Sequence, residues 1–397
     1  MPSVVLPRQI ESGPGSFKHL GKKVKAYGGK RPVIIMDSFL ASPPLNLHKR
    51  VAAILKEEEL EPHLFCQFSG EPTTDHVDAS LKALTKYKCD SVIAIGGGSA
   101  IDIAKATSVF GATQDLKWES IPSLPHLDRL PLFAVPTTAG TGSEATKVMV
   151  ITNKKTNFKM NPGHPKLIPD AAILDPELTL SLPQSFTAFT GLDALTHAIE
   201  AYVSTRASVM TDLYAIKAIG MIGKSLPKVY ENGSDIEKRN HMILGSCYAG
   251  IAFSNASTNL AHAMGRPLGA HFHIPHGLSV ALLLPFVMAF SLPAAKDRFA
   301  DIALSLGAEN SSNQEQLAKT SVDIVHNFNR HFDIWNFGRK HIKNVEELKQ
   351  TIPHLVEDAL SGNGIETNRV LPTSDDIKAI YHSLVKKLSE EKVNITQ

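Results

Sequence analysis

The run Ser91-Val92-Ile93-Ala94-Ile95 passes without a break into Gly96-Gly97-Gly98-Ser99-Ala100-Ile101-Asp102-Ile103-Ala104-Lys105. No other stretch constrains the fold as tightly. A short continuous apolar run predicts a strand buried on both faces, as in a parallel sheet. Three consecutive glycines let backbone N–H groups approach a phosphate, and the N-terminus of the helix beyond them favours negative charge. A tight turn is the other reading, but a turn rarely needs three glycines together.

The rest of the first half repeats the same alternation. Val33-Ile34-Ile35-Met36 predicts a strand ending at Asp37, Leu47 to Leu60 a helix and Leu64 to Phe68 the next strand. A helix over His76 to Lys86 precedes the glycine strand, and strands are predicted over Leu132 to Val135, Lys147 to Thr152 and Ala171 to Leu174. Such a pattern is the signature of a wound α/β domain. The usual dinucleotide fingerprint is absent: the spacing is not G-x-G-x-x-G, and the acidic strand end, Asp37, comes earlier in the chain. In a wound sheet it can still reach the same crevice, beyond the carboxyl ends of the strands. The loop Pro136-Thr137-Thr138-Ala139-Gly140-Thr141-Gly142-Ser143-Glu144 offers hydroxyl and backbone donors at close range, although loops of this composition are often mere turns.

From Ser181-Leu182-Pro183 onward long helical periodicities replace strands, which places a boundary between residues 1–182 and 183–397. Helices are predicted over Met210 to Leu226, Ile236 to Ser254 and Leu278 to Leu292. A chain of 397 residues can build two such cores. A net charge of +2, with no long block of like charge, gives no footprint for nucleic acid. Met1-Pro2-Ser3-Val4-Val5-Leu6-Pro7 does not read as a signal peptide, and the longest apolar run, Ala281 to Leu292, is interrupted by Pro285, so no membrane span is expected. The three scattered cysteines, Cys66, Cys89 and Cys247, fit inert thiols in a reducing cytoplasm.

The chemistry-bearing residues lie in the second half. In Thr190-Gly191-Leu192-Asp193-Ala194-Leu195-Thr196-His197-Ala198-Ile199-Glu200-Ala201-Tyr202, the residues Leu192, Leu195, Ile199 and Tyr202 form a helical stripe. Asp193 and His197 sit one turn apart beside it and could hold a divalent metal. Equally, Thr190 and Asp193 fit a capping box and His197 a partly buried histidine. Further on, His262, His271, His273 and His276 crowd among Gly, Pro and apolar residues rather than charges. An Asp with two or three histidines suits a first-row metal with positions left open.

Asp193-x3-His197, His262 and Pro275-His276-Gly277 resemble the iron-dependent (group III) alcohol dehydrogenases, as do the Gly-Gly-Gly-Ser-x-x-Asp-x-x-Lys and P-T-T-x-G-T-G-S-E motifs. The resemblance covers nearly the whole chain. It implies an α/β N-terminal dinucleotide-binding domain plus an all-α C-terminal domain, the dehydroquinate synthase-like fold. It implies metal ligands at Asp193, His197, His262 and His276. It further implies a cofactor site built from Asp37, Gly96, Gly97, Gly98, Ser99, Asp102, Thr137, Thr138, Thr141, Ser143 and Lys159. Asp37 would lie beside the adenosine ribose, where a carboxylate favours NAD over NADP; capping the following turn is its alternative role. Lys159 could equally be a surface lysine, and Phe253, at a position lining the substrate pocket, could be a core aromatic.

The implied activity is a metal-dependent NAD(H) alcohol dehydrogenase or aldehyde reductase. Fe(II) is the first expectation for the metal, with zinc or manganese also suited to these ligands. The expected partners are a small-molecule alcohol or aldehyde and further copies of the chain, as a dimer or larger. Sister enzymes of this fold include glycerol dehydrogenases and dehydroquinate synthase, and a nucleotide- and metal-binding protein without turnover is the reading from another class. At Arg266 the chain departs from the family, many of whose members carry a further histidine there, thought to relay a proton. A guanidinium cannot, so the relay passes to His271, His273, a ribose hydroxyl or water, with His273 the first to test. Arg266 could instead clamp an anionic aldehyde, bearing a sulfonate, phosphonate or carboxylate, or brace the domain through a carboxylate.

Overall fold

The computed structural model describes residues 3–113, 115–156 and 158–390. The chain divides into two compact units, Val5–Ser181 and the residues from Leu182 onward, and residues 3 and 4 group with the second unit rather than the first.

The first unit carries strands β1 (Gln9–Ser12), β2 (Pro32–Met36), β3 (His63–Phe65), β4 (Ser91–Gly96), β5 (Leu132–Pro136), β6 (Ile151–Asn153), β7 (Phe158–Met160) and β8 (Ala171–Leu174). Its helices are α1 (Leu20–Ala26), α2 (Ser38–Ala41), α3 (Leu47–Glu57), α4 (Thr74–Lys86) and α5 (Gly98–Ala112). Six strands form one sheet in the order β1-β8-β5-β4-β2-β3, and every neighbouring pair is parallel. The period of two in each strand splits its apolar run between two cores. Val33, Ile35, Val92, Ala94, Leu132 and Ala134 pack on one face. Ile34, Met36, Ile93, Ile95, Phe133 and Val135 pack on the other. With both faces covered, the strands are continuous apolar runs.

From β2 the chain moves outward to β3, then crosses back to β4 and continues through β5 to β8. The strand order therefore reverses between β2 and β4, the place where open α/β sheets bind ligands. Asp37 follows β2 there, and Gly97 and Gly98 follow β4.

Three local expectations are corrected. The strand predicted over Lys147 to Thr152 is only the three residues of β6, paired antiparallel with β7. Upstream of it, the backbone makes only an isolated antiparallel bridge between Val148 and Gly163, while the Val148 carbonyl accepts from buried Lys105 and the Val150 N–H donates to Asp102. The strand predicted over Leu64 to Phe68 ends at Phe65. Neither β1 nor the β6–β7 hairpin is visible in the sequence pattern, since both are short and largely polar.

The second unit is helical throughout its described residues: α6 (Gln184–Val203), α7 (Val209–Glu231), α8 (Ile236–Ala256), α9 (Leu260–Phe272), α10 (His276–Ser291), α11 (Lys296–Ser305), α12 (Gln314–His331), α13 (Ile334–His341), α14 (Val345–Ser361) and α15 (Ser374–Glu390). Helix α6 is its axis. Leu192, Leu195, Ile199 and Tyr202 are buried as the stripe predicts, but so are Ala194, Ala198 and Ala201 on its other sides. Small residues there let α7, α8 and α10 all pack against it. The stretch His276–Ala294 is long and apolar enough to cross a membrane by length and composition, yet two-thirds of it is buried within the unit. Its apolarity is that of a core helix.

Candidate functional site

Asp193 lies mid-way along α6, far from the helix start at Gln184, so the capping-box reading of Thr190 and Asp193 is wrong. The Thr190 hydroxyl donates to the Phe186 carbonyl instead. Asp193 is 3 % exposed. One of its oxygens, Oδ1, lies 3.4 Å from His262 Nε2 and 3.7 Å from His276 Nε2. Three ligand atoms, one each from Asp193, His262 and His276, fall within 4.8 Å of one another.

Three helices supply this triad, and glycine sets one of their approaches. A Cβ at Gly277, the first-turn neighbour of His276, would stand 2.3 Å from the Phe189 carbonyl oxygen of α6. Only a bare backbone lets the start of α10 sit on α6 closely enough to bring His276 to Asp193. Pro275 before it, with no N–H to satisfy, suits the position ahead of the helix.

His262 stands in the first turn of α9, where backbone N–H groups lack helical partners. Glu200 of α6, 2 % exposed, supplies them. Its carboxylate accepts from the N–H groups of Asn259 at 2.8 Å, Ala261 at 2.6 Å and His262 at 3.3 Å. It also accepts from His262 Nδ1 at 2.6 Å. With Nδ1–H committed to a carboxylate, Nε2 is the atom turned toward Asp193, the arrangement by which ligating histidines are oriented. Glu200 is the functional residue that the sequence argument missed. A signal was present: Asp193 and Glu200 are the only acidic residues in α6, seven apart on one side of a buried helix with no lysine or arginine in it.

Burial alone would push the Asp193 carboxyl up, but His197, His276 and His262 outweigh it and hold it well below the usual carboxylate range. Burial likewise pushes the His262 imidazole down, while Glu200 and Asp193 pull it up to about 9. Asp193 Oδ1 and His262 Nε2 are buried without a hydrogen-bond partner among the described residues. Buried polar atoms left so call for an explanation, and an ion is one. Ligand atoms about 2.1 Å from a shared ion stand about 3.0–3.4 Å apart, close to the separations here. A carboxylate oxygen and two imidazole nitrogens suit a first-row cation, and the His276 side chain, 43 % exposed, leaves one side open.

His197 stands against the triad without joining that group of ligand atoms. Its ring stacks on Phe253 at 4.1 Å and on His262 at 4.2 Å between centroids. Phe253 is half-buried rather than a core aromatic, and covers His197. Arg266, one turn beyond His262, donates to the Asn363 carbonyl at 3.2 Å; it makes no close ion pair among the described residues, but the buried Glu200 carboxylate acts on it through charge. His273 ends α9 in a left-handed conformation, φ 52°, and is exposed.

In the α/β unit the two cofactor motifs meet. β4 and β5 are neighbours in register, Gly96 opposite Pro136, so the loops that follow them emerge side by side. A Cβ at Gly98 would stand 2.9 Å from Thr141 Cγ2, and one at Gly97 3.4 Å from Thr138 Oγ1. Gly97 caps α5 without any side-chain bond, leaving the helix N–H groups for an anion. Ser99, Thr138 and Thr141 remain half-buried around this turn, and Thr137 is buried.

Three other motif residues, Asp102, Lys105 and Ser143, serve the scaffold. Ser143 donates to Asp102 Oδ1 at 2.6 Å, and Lys105, fully buried, donates to Ser143, Thr146 and the Val148 carbonyl at 3.0, 2.8 and 2.7 Å. This brace fixes the second loop to α5. Burial lowers Lys105 to about 8 against the pull of Asp102 and Glu144. Asp37 caps α2 by accepting from the Phe39 N–H at 2.7 Å, and remains half-buried. Lys159 of β7 is an exposed lysine paired with Glu71 at 2.7 Å.

Comparison with known proteins follows this division. Residues 7–176 match the family described as iron-containing alcohol dehydrogenase, and residues 187–385 match the C-terminal part of the Fe-containing alcohol dehydrogenase family. The chain is 42 % identical over 310 residues to the probable alcohol dehydrogenase EutG of Escherichia coli (strain K12), covering 78 % of each chain. It is 36 % identical to the NAD-dependent methanol dehydrogenase of Bacillus methanolicus, covering 84 % of this chain and 88 % of that one. A solved 1,3-propanediol oxidoreductase superposes with a TM-score of 0.91 at 29 % identity, over 97 % of this chain and all of the other.

Proposed function

The chain belongs to the iron-containing alcohol dehydrogenase family, and from that premise we propose that it interconverts a small alcohol and its aldehyde or ketone, using NAD(H) and Fe(II). The observation that carries the proposal is the meeting of Asp193, His262 and His276 with buried ligand atoms left unbonded. When bound, the ion supplies Lewis acidity toward the hydroxyl or carbonyl oxygen, and the nicotinamide supplies or takes the hydride. The protein does the rest. Asp193, held ionised, contributes the negative charge that selects a cation, while Glu200 fixes the His262 tautomer. His197 is the fourth donor of the proposed set, with Phe253 shielding its face from water. Gly97, Gly98, Ser99, Thr138 and Thr141 cradle the pyrophosphate, and Asp37 accepts from ribose hydroxyls and repels a 2′-phosphate. A proton leaving the substrate passes to water, a ribose hydroxyl, His271 or His273.

The test is consumption of NADH by Fe(II)-loaded protein across a panel of short neutral aldehydes. Turnover that His276→Ala abolishes, with NADH binding retained, is the expected result. An equal rate in that variant removes His276 from the metal set.

A narrower reading, an aldehyde bearing a carboxylate, sulfonate or phosphonate, is supported by Arg266, whose guanidinium donates to the Asn363 carbonyl and makes no ion pair among the described residues. It predicts that Arg266→Leu costs about 2–5 kcal/mol in kcat/KM for charged aldehydes and little for neutral ones. An equal loss for both classes leaves the neutral substrate.

A further inference from the structure

Away from the metal triad, a cavity of about 500 Å³ opens between α7, α8 and the end of α11. Lys217, Lys224 and Lys228 line it from α7, and Lys238 and His241 from α8. The spacing of seven and then four residues keeps the three α7 lysines on one face of that helix. Lys224 and Lys228 are four apart, an unfavourable arrangement for like charges. Other helical lysines do pair with a carboxylate one turn away, as Lys319 does with Glu315 and Lys386 with Glu390. None of Lys217, Lys224 and Lys228 has an ion-pair partner among the described residues, and no acidic residue lines the cavity. Lys238 alone is paired, with Glu237 at 2.7 Å.

The floor adds a second observation. Ser225 is 1 % exposed, lines the cavity, and its hydroxyl bonds no other described residue. That hydroxyl is not sealed off from the cavity and is free to donate to a ligand or water there. Gly220 and Ser305 complete the wall, and the missing side chain at Gly220 keeps the floor open: a Cβ there would stand 3.5 Å from the Ser305 carbonyl oxygen.

We propose that this cavity is a binding site for a compact polyanion, a metabolite carrying two or more phosphate or carboxylate groups. Concentrated positive charge over a concave surface attracts such a ligand, and its anionic oxygens would relieve the repulsion among the lysines. The Ser225 hydroxyl would donate to an oxygen at the floor. The volume lies within the usual range for small-molecule sites. None of the lining residues belongs to the metal centre or to the cofactor loops, so binding here is separable from turnover.

Calorimetric titration of the full-length protein tests the site, with NADH saturating so that the cofactor loops are occupied. Fructose 1,6-bisphosphate and tricarballylate are the probes, and they separate a phosphate source from a carboxylate one. At least one should bind saturably, weaken as salt is raised, and lose about tenfold or more in affinity in the double variant Lys224→Glu/Lys228→Glu. Both changes lie on an exposed helix face, so that variant should keep the wild-type fold and its turnover without probe. Ser225→Ala, which leaves the charge intact, should weaken the same probe several-fold. Absence of saturable binding by both probes, or binding undiminished in the double variant, overturns the proposal.

Discussion

Glu200→Gln is the substitution that most directly probes how the metal centre is held. The carboxylate accepts four hydrogen bonds, three from the first turn of α9 and one from His262 Nδ1. Glutamine keeps the size but has one oxygen, which can retain about two of the four. Its amide NH2 would meet the remaining donors head-on in a buried space. Each abandoned donor costs about 1–3 kcal/mol, so the helical unit should lose about 2–6 kcal/mol. Separately, His262 loses the partner that fixes its tautomer, and such changes cost about 10–100-fold in metal affinity, or about 1.4–2.7 kcal/mol. Competition with a chromogenic chelator, at a temperature where the variant is folded by circular dichroism, measures the second effect apart from the first. A folded variant whose affinity for Fe(II) or Zn(II) stays within about twofold of wild type would refute the positioning role. Glu200 would then be only a cap for α9.

Other outcomes follow from the same geometry. Gly277→Ala should force α10 off α6, because its Cβ would stand 2.3 Å from the Phe189 oxygen; a stability loss of about 1–3 kcal/mol and weakened metal binding are expected by denaturation and metal titration. Asp37→Ser should shift the kcat/KM ratio toward NADPH by removing a charge beside the ribose 2′ position, and wild-type protein preferring NADPH would contradict that reading. Burial pushes the Glu144 carboxyl from its ordinary 4.5 up to about 7, with Lys105 pulling against it. The folded state then holds a proton that the unfolded state has released, so stability falls as pH rises from about 4.5 to 7, by at most about 3 kcal/mol. The depression of Lys105 to about 8 acts at higher pH. Urea midpoints at pH 5 and 7.5 should differ in the wild type and draw together in Glu144→Gln; a wild-type stability that is flat or rises over that window would exclude the effect.

The order of legibility in this chain follows the reach of local chemistry. The glycine turn and the Thr-rich loop were readable because glycine and hydroxyl composition constrains a turn whatever surrounds it. Histidines crowded among apolar residues pointed to a metal, but the choice of Asp193, His262 and His276 from that crowd came from the family resemblance. The Asp102–Ser143–Lys105 brace was not: Ser143 lies 38 residues from Lys105, and only the pairing of β4 with β5 brings them together. The surroundings of His197 were not legible for a related reason. Its spacing from Asp193 is right for a ligand, but its ring lies stacked between Phe253 and His262, aromatic partners that no helical periodicity reveals. Glu200 hid behind its neighbours, since a lone glutamate in a helix reads as surface until that helix is known to be buried on all sides.

The central claim is that turnover needs a cation at Asp193, His262 and His276, while nucleotide binding belongs to the other unit. Stripping metal with a chelator and returning Fe(II) stepwise, while following NADH consumption with a short aldehyde and NADH binding by fluorescence, measures both at once. The account predicts that the rate vanishes on stripping and returns in proportion to iron bound, saturating at a single ion per chain, with NADH affinity unchanged throughout. A metal-free protein that retains the wild-type rate, or an Asp193→Ala variant that binds iron and turns over as wild type does, would contradict it.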